Sequence, residues 1–173
     1  MKKWRLWAII CLAATLTIAP VWIVNAQQRQ WSPFPPGTVF ESGESWNANG
    51  KRYRLYGVRA CDRGRSFTNA AGIKHDCGEA SLAMLVSLIR DLNPVCTEVA
   101  RDEKAGVSHV ICLALPDRGA GKGSRIDLGT ALISSGFGFA LRDAAGIAIH
   151  REYAVAEEVA KHGRNGLWRH GDW

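Results

Sequence analysis

The stretch Arg54-Leu55-Tyr56-Gly57-Val58-Arg59-Ala60-Cys61-Asp62 decides how this chain is read. It completes a run, Lys51–Val58, in which Tyr53, Leu55 and Gly57 alternate with Arg52, Arg54 and Tyr56. That period of two marks a strand with one buried face. Just upstream, Asn47-Ala48-Asn49-Gly50 ends in Asn-Gly, a strong hairpin-turn signal. Glu44–Asn47 is therefore expected as the partner strand, with a further short strand at Thr38–Phe40. Downstream, the polar, Gly-containing segment from Cys61 to Asp76 reads as a loop.

Beyond that loop the pattern changes period. Asp76 is placed to cap a helix, with Glu79 three residues later as in a capping box. Leu82, Leu85, Val86 and Ile89 recur at helical spacing, and Asn93-Pro94 stops the helix. Two strands are expected next, Val95–Ala100 and Val107–Leu115, joined by the charged turn Arg101–Gly106. The Gly-rich segment Gly119–Gly123 lacks the Gly-Lys-[Ser/Thr] ending and preceding strand of a P-loop, so it reads as a connection. Asp127 caps a second helix bearing Leu128, Ala131, Leu132 and Ser135, which Gly136 ends. A short strand is expected at Phe137–Leu141. A third helix spans about His150–Lys161, with Tyr153, Ala156, Val159 and Ala160 inward and Gly163 and Gly166 closing it.

The first residues form an address. Lys2, Lys3 and Arg5 precede an apolar run from Leu6 to Val24, and Val24-Asn25-Ala26 supplies a signal-peptidase site. An uncleaved anchor is the competing reading, since the run approaches bilayer-spanning length; Pro20 and the Val-x-Ala ending favour cleavage after Ala26. The expected organisation is a signal peptide at 1–26, an extended Pro-rich arm at 27–37 and one domain at 38–173. Cleavage removes three of the 22 basic residues, leaving 19 against 16 acidic. So mild an excess permits a polyanion partner without requiring one. Four cysteines remain in an exported chain, which implies disulfides. Short loops and strand adjacency favour Cys61–Cys77 and Cys96–Cys112, and the absence of any Cys-x-x-Cys spacing argues against zinc.

Taken in order, three motifs resemble those of the staphylococcal-nuclease-like (thermonuclease) family. The opening stretch is similar to the family's R-L-x-G-[IV]-D-x-P-E. Asp127-Leu128-Gly129-x-x-Leu132-Ile133-x-x-Gly136 is similar to its [ND]-L-x-x-x-L-V-x-x-G helix. Tyr153-x-x-Ala156-Glu157-x-x-Ala160, followed by Gly166-Leu167-Trp168, is similar to its Y-x-x-A-E-x-x-A…G-L-W ending. The resemblance covers nearly all of the domain. It implies an α+β fold, the OB-type five-stranded β-barrel with three helices.

It also implies a site. Metal-assisted phosphodiester cleavage needs carboxylates for a hard cation such as Ca²⁺, a base, and arginines for charge developing on phosphate oxygens. Arg54 matches the first catalytic arginine, and Asp62 matches the general base one methylene shorter. Glu44, in Ser42-Gly43-Glu44-Ser45, matches the upstream metal carboxylate one methylene longer. Arg59 falls on the second metal carboxylate, where a fixed positive charge repels Ca²⁺ and fills the metal's space by pairing with Glu44 or Asp62. The second catalytic arginine falls on Val107, with Lys104 a loose substitute. His109 reads as a structural or surface residue.

Losing one such carboxylate or arginine costs on the order of 100-fold in rate. The expectation is therefore an exported, monomeric domain with weak or no nuclease activity and no cofactor. Its old groove, lined by Arg54, Arg59, Arg63 and Arg65, takes an anionic ligand, either nucleic acid or an acidic polysaccharide; exported members resembling this chain occur beside exopolysaccharide biosynthesis genes. The alternative is an active Ca²⁺-dependent nuclease with a rearranged site.

Overall fold

The computed structural model describes residues 30–114 and 125–170. The expected signal peptide, the start of the Pro-rich arm and the Gly-rich connection lie outside those residues.

Six strands form the main path of one sheet. In chain order they are β1 (Ser32–Pro33), β2 (Val39–Phe40), β3 (Ser45–Ala48), β4 (Lys51–Leu55), β8 (Val95–Asp102) and β9 (Val107–Ala114), and in space they run β1-β8-β9-β4-β3-β2. A two-residue strand β10 (Ile126–Asp127) adds to β9. All pairings are antiparallel except β4 with β9, which is parallel. The two edge strands, β1 and β2, are consecutive in sequence. A flat six-stranded sheet would separate its edges by about 24 Å, whereas Pro33 to Val39 spans at most about 21 Å fully extended. The sheet must therefore curl, and it forms a half-barrel.

The elements follow the local chemistry. Asn49 and Gly50 both take positive φ (51° and 73°) at the β3–β4 hairpin, as an Asn-Gly turn requires. Helix α1 (Cys77–Leu92) opens on Asp76, whose side chain accepts from the Glu79 amide at 2.9 Å, and closes on Asn93 in the left-handed conformation. Helix α2 (Leu128–Ser134) opens on Asp127, which accepts from the Thr130 amide. Helix α3 spans Arg151–His162, and a 3₁₀ turn follows at Gly166–Arg169. Leu85 and Leu92 from α1, Leu128, Leu132 and Ile133 from α2, and Tyr153 and Ala156 from α3 cover Trp46, Ala48, Leu55, Val110, Cys112 and Ala114 of the sheet. The Tyr153 phenol is bonded to Asp127, and burial first, then that carboxylate, pushes its pKa well above the usual range.

Four expectations change. The run Lys51–Val58 is not one strand: Gly57 (φ 73°) turns the chain, and β5 (Val58–Ala60) pairs instead with β11 (Gly138–Ala140). The segment Cys61–Asp76 contains a small hairpin, β6 (Ser66–Thr68) with β7 (Lys74–Asp76). The Pro-rich arm is not merely extended, because Ser32 and Pro33 pair with Cys96 and Val95. The expected strand Thr38–Phe40 is β2, at the opposite edge from the arm's β1, and the curled sheet holds seven strands where five were expected.

Both expected disulfides are present, Cys61–Cys77 and Cys96–Cys112. Cys96 and Cys112 sit directly opposite each other in the β8–β9 ladder. Cys61 and Cys77 join a second buried cluster with Phe139 and Leu167. Among the described residues no helix is long and apolar enough to cross a membrane.

Candidate functional site

The corner where β3, β4 and β5 meet holds the residues singled out by the sequence. The turn Ser42–Ser45 is tight: the Ser42 and Ser45 hydroxyls lie 2.8 Å apart, and the Glu44 amide donates to Ser42 Oγ at 3.2 Å. Gly43 lets this turn lie flat on α1, since a methyl there would sit 2.6 Å from Ser81 Cβ and 2.9 Å from its backbone carbon. Glu44 is thereby directed under β4 and β5 and is only 8% exposed.

Its two carboxylate oxygens have different partners. Oε1 accepts from the Arg54 guanidinium, and Oε2 accepts from the Ala60 amide. The Glu44 carbonyl also accepts from the Leu55 amide at 2.8 Å. Burial raises the Glu44 pKa. The Arg54 charge and the Ala60 amide oppose that rise, and nearby Asp62 adds to it. Arg54 stands in register between Ser45 on β3 and His109 on β9. Its Nε is buried without a partner among the described residues.

Arg59 is elsewhere. In β5, Val58 and Ala60 are buried and Arg59 is exposed, the alternation of a strand. Its guanidinium lies 6.0 Å from the ring centre of Phe139, its register partner on β11, a cation–π distance. The expected pairing of Arg59 with Glu44 or Asp62 is not formed: Arg54 takes Glu44, and Arg59 meets no carboxylate among the described residues. Asp62 and Arg63 are exposed just beyond β5. Arg63 Nε reaches Glu79 at 3.3 Å, and both side chains are more than half exposed, so that pair contributes little. The Cys77 amide donates to the Arg65 carbonyl at 2.8 Å, which anchors this loop to the start of α1.

The chain matches no protein-family model and no curated protein.

The structure thus brings Glu44, Arg54 and Asp62 to one corner and sends Arg59 to the neighbouring ribbon. Among the described residues no three of His, Cys, Asp and Glu converge as a metal-binding group. Val107 lies beside Arg52, itself 3.3 Å from Glu41, and Lys104 sits in the exposed β8–β9 turn. His109, read from the sequence as a structural or surface residue, stands beside Arg54 through the parallel pairing of β4 with β9, and its ring meets that of Tyr56. No local signal announces that pairing. A separate cleft of about 650 Å³ opens at the mouth of the half-barrel, between the arm at Phe34 and the walls formed by Tyr53, Lys51 and Glu98.

The Glu44–Arg54 pair has a measurable consequence. Arg54→Met leaves a buried carboxylate without its cation, a change that costs several kcal/mol when both partners are buried. Arg54 is 38% exposed on its side chain, so a loss of about 2 kcal/mol at neutral pH is expected. The substitution removes the two influences of Arg54 that lower the Glu44 pKa, so the folded-state value rises further above the unfolded one. Stability lost to an ionised Glu44 is regained as pH falls and the carboxyl protonates. Urea unfolding across the acid to neutral range should show the deficit largest near neutrality and shrinking toward pH about 4. A deficit independent of pH would refute the assignment.

Proposed function

We propose that this chain is an exported domain of the staphylococcal-nuclease-like OB type that binds an anionic ligand and has little or no hydrolytic power. The observation that carries the reading is the state of Glu44. Its charge is already balanced by Arg54 and the Ala60 amide, while position 59, where a second metal carboxylate is expected, carries an arginine turned onto Phe139. A carboxylate so engaged is a weak ligand for a hard cation, and one carboxylate makes a poor Ca²⁺ site.

Several features support the OB type. The strand order curls with its edges joined by a five-residue link, and the parallel β4–β9 pair lies at its centre. Helix α1 falls between β7 and β8, and the other two helices follow the sheet. The two disulfides support export, together with the basic and apolar first residues. Arginine suits either phosphate or carboxylate through its planar donor fork, so the ligand class is nucleic acid or acidic polysaccharide. The active-nuclease alternative draws on Glu44, Arg54 and Asp62 sharing one corner.

The test is repair of the site. Arg59→Asp with Val107→Arg adds the missing carboxylate and the second phosphate clamp. The natural protein should cleave single-stranded DNA in Ca²⁺ at background rate, and the double variant should exceed it by up to about 100-fold. Recovery should be partial, because Glu44 and Asp62 differ in length from the residues they replace. Each single change should do little, since metal and arginine act on the same developing charge. Cleavage by the natural protein at a rate the double change does not improve would overturn the reading.

A further inference from the structure

The mouth of the half-barrel holds a cleft that the arginine corner does not use. Its volume of about 650 Å³ lies within the range of small-ligand sites. The floor is aromatic. Trp46 of β3 and Tyr53 of β4 are register partners, with rings 16° from parallel and centres 6.0 Å apart. The Phe34 ring of the arm lies 4.9 Å from that of Trp46. Trp46 is only 2% exposed, whereas Tyr53 and Phe34 are half-buried, and all three line the cleft. These walls are held in place. Phe34 sits between two prolines, the Thr38 hydroxyl donates to the Pro35 carbonyl at 2.7 Å, and Cys96 in the wall is bridged to Cys112. A ligand therefore meets a site that is already formed, which lowers the cost of binding.

The bulge in β8 supplies the polar side. Glu98 is opposite Val110 and Arg101 is opposite Ser108. Val110 and Ser108 share the buried face of β9, so the extra residue between Glu98 and Arg101 brings both to that face. Arg101 donates to the two oxygens of Glu98 at 3.1 and 3.0 Å. That fork, and then the Ser108 hydroxyl, hold the Glu98 carboxyl below its usual range and so keep it an ionised acceptor. Glu98 and Lys51 both line the cleft. Lys51 is near enough to add to that effect on Glu98, yet it forms no ion pair among the described residues. Charge at the mouth is balanced, because Lys51 and Arg101 are matched by Glu98 and by Glu103, 3.8 Å from Arg101.

This combination selects a ligand class. A nucleic-acid strand carries a charge at every phosphate and needs a row of unpaired cations, and Lys51 is the one cation among the residues lining the cleft. A wholly apolar ligand would strip water from Glu98 and Lys51 and give nothing in exchange. A pyranose offers an apolar C–H face to an aromatic ring. Its edge hydroxyls both donate and accept, so they suit a carboxylate that only accepts and an ammonium that only donates. A β-linked glucose ring keeps its hydroxyls near the ring plane and leaves C–H groups on both faces. We propose that the cleft is a carbohydrate site for an uncharged β-linked hexose oligomer, with one ring on Tyr53 and its hydroxyls between Glu98 and Lys51. The inference goes beyond the anion reading and uses none of its residues.

The experiment is isothermal titration calorimetry of the disulfide-bonded protein at neutral pH with cellotetraose, its α-linked isomer maltotetraose, and an oligothymidylate. Cellotetraose should bind saturably, with Kd below about 1 mM. Glu98→Gln should weaken it about tenfold, the loss of a hydrogen bond to a charged acceptor. Tyr53→Ala should weaken it at least about tenfold, whereas Tyr53→Phe, which keeps the ring, should stay within about twofold of the natural protein. Glu98 is exposed, so Glu98→Gln tests the site even if Tyr53→Ala fails to fold. Absence of saturable cellotetraose binding by the natural protein overturns the inference, and so does binding that Glu98→Gln leaves unchanged. Equal or tighter binding of maltotetraose overturns the β-linkage. Displacement of cellotetraose by the oligothymidylate overturns the choice of an uncharged ligand. Failure leaves the anion reading standing, because Glu44, Arg54 and Asp62 do not line the cleft.

Discussion

Alanine at Gly136 is expected to destabilise the fold by about 4 kcal/mol, near the top of what single substitutions do. Two penalties combine there. Gly136 has φ 79°, a conformation that disfavours any side chain. A methyl at this position would also sit 2.1 Å from the Asn165 carbonyl oxygen and 2.5 Å from its carbon. Both obstacles are backbone atoms, so no rotamer change relieves them. The contact exists because the end of α2 is docked on the chain leaving α3: the Leu167 amide donates to the Gly136 carbonyl at 3.1 Å, and Asn165 Nδ2 donates to the Ser134 carbonyl at 2.8 Å. Gly146 provides the control. It has the same φ, 79°, with nothing within 4 Å of the added methyl, so Gly146→Ala should cost only about 1 kcal/mol. Equilibrium unfolding of the two variants measures the difference, and similar losses would show that the close approach of the two segments is not what makes Gly136 necessary.

Removing the Cys96–Cys112 bridge as a double alanine variant is expected to lower stability by about 3 kcal/mol. The two residues are 16 apart in sequence, and closing a loop of that size restricts the unfolded chain by about this amount in the chain-entropy account. Cys61–Cys77 has the same separation of 16, so the same entropic contribution is expected from it. The two should nevertheless differ locally. Cys96 and Cys112 are already held opposite each other by the β8–β9 ladder, and their loss should leave that ladder in place. Cys61–Cys77 ties the segment carrying Asp62 and Arg63 to the first residue of α1, and its loss should speed amide exchange across residues 62–76. Denaturant midpoints combined with hydrogen exchange check both statements. A Cys96/Cys112 variant as stable as the natural protein would show that the bridge adds nothing to a register the strands already fix.

Much of this fold is written in short-range chemistry. Asp76 and Asp127 are recognisable as caps because each precedes an apolar period and each accepts the amide three residues on. Asn49-Gly50 declares its turn, and Asn93-Pro94 declares a helix end. The cysteine pairs are legible because one flanks a loop and the other lies in adjacent strands. What sequence does not disclose is long-range. Ser32-Pro33 carries no strand signal and pairs only because β8 offers it an edge. Phe67 is the one apolar residue in strands β6 and β7, too little to announce the hairpin. The positions of Glu44, Arg54 and Asp62 follow from motif spacing. That Glu44 is claimed by Arg54, that Arg59 faces Phe139, and that His109 stands beside Arg54 all depend on which strands become neighbours. Gly136 and Gly166 look like helix stops, yet their larger role is to let two backbones touch.

The arm's brief pairing with β8 also bears on self-association. Strand β8 is eight residues long, and among the described residues β1 covers only its first two, leaving the rest as an edge. Such edges recruit strands from other molecules. Here the uncovered part carries Glu98, Arg101 and Asp102 and is broken by the bulge between Glu98 and Ala100. Charge and bulge together discourage a second copy from docking there and turning the half-barrel into the first unit of a continuous sheet.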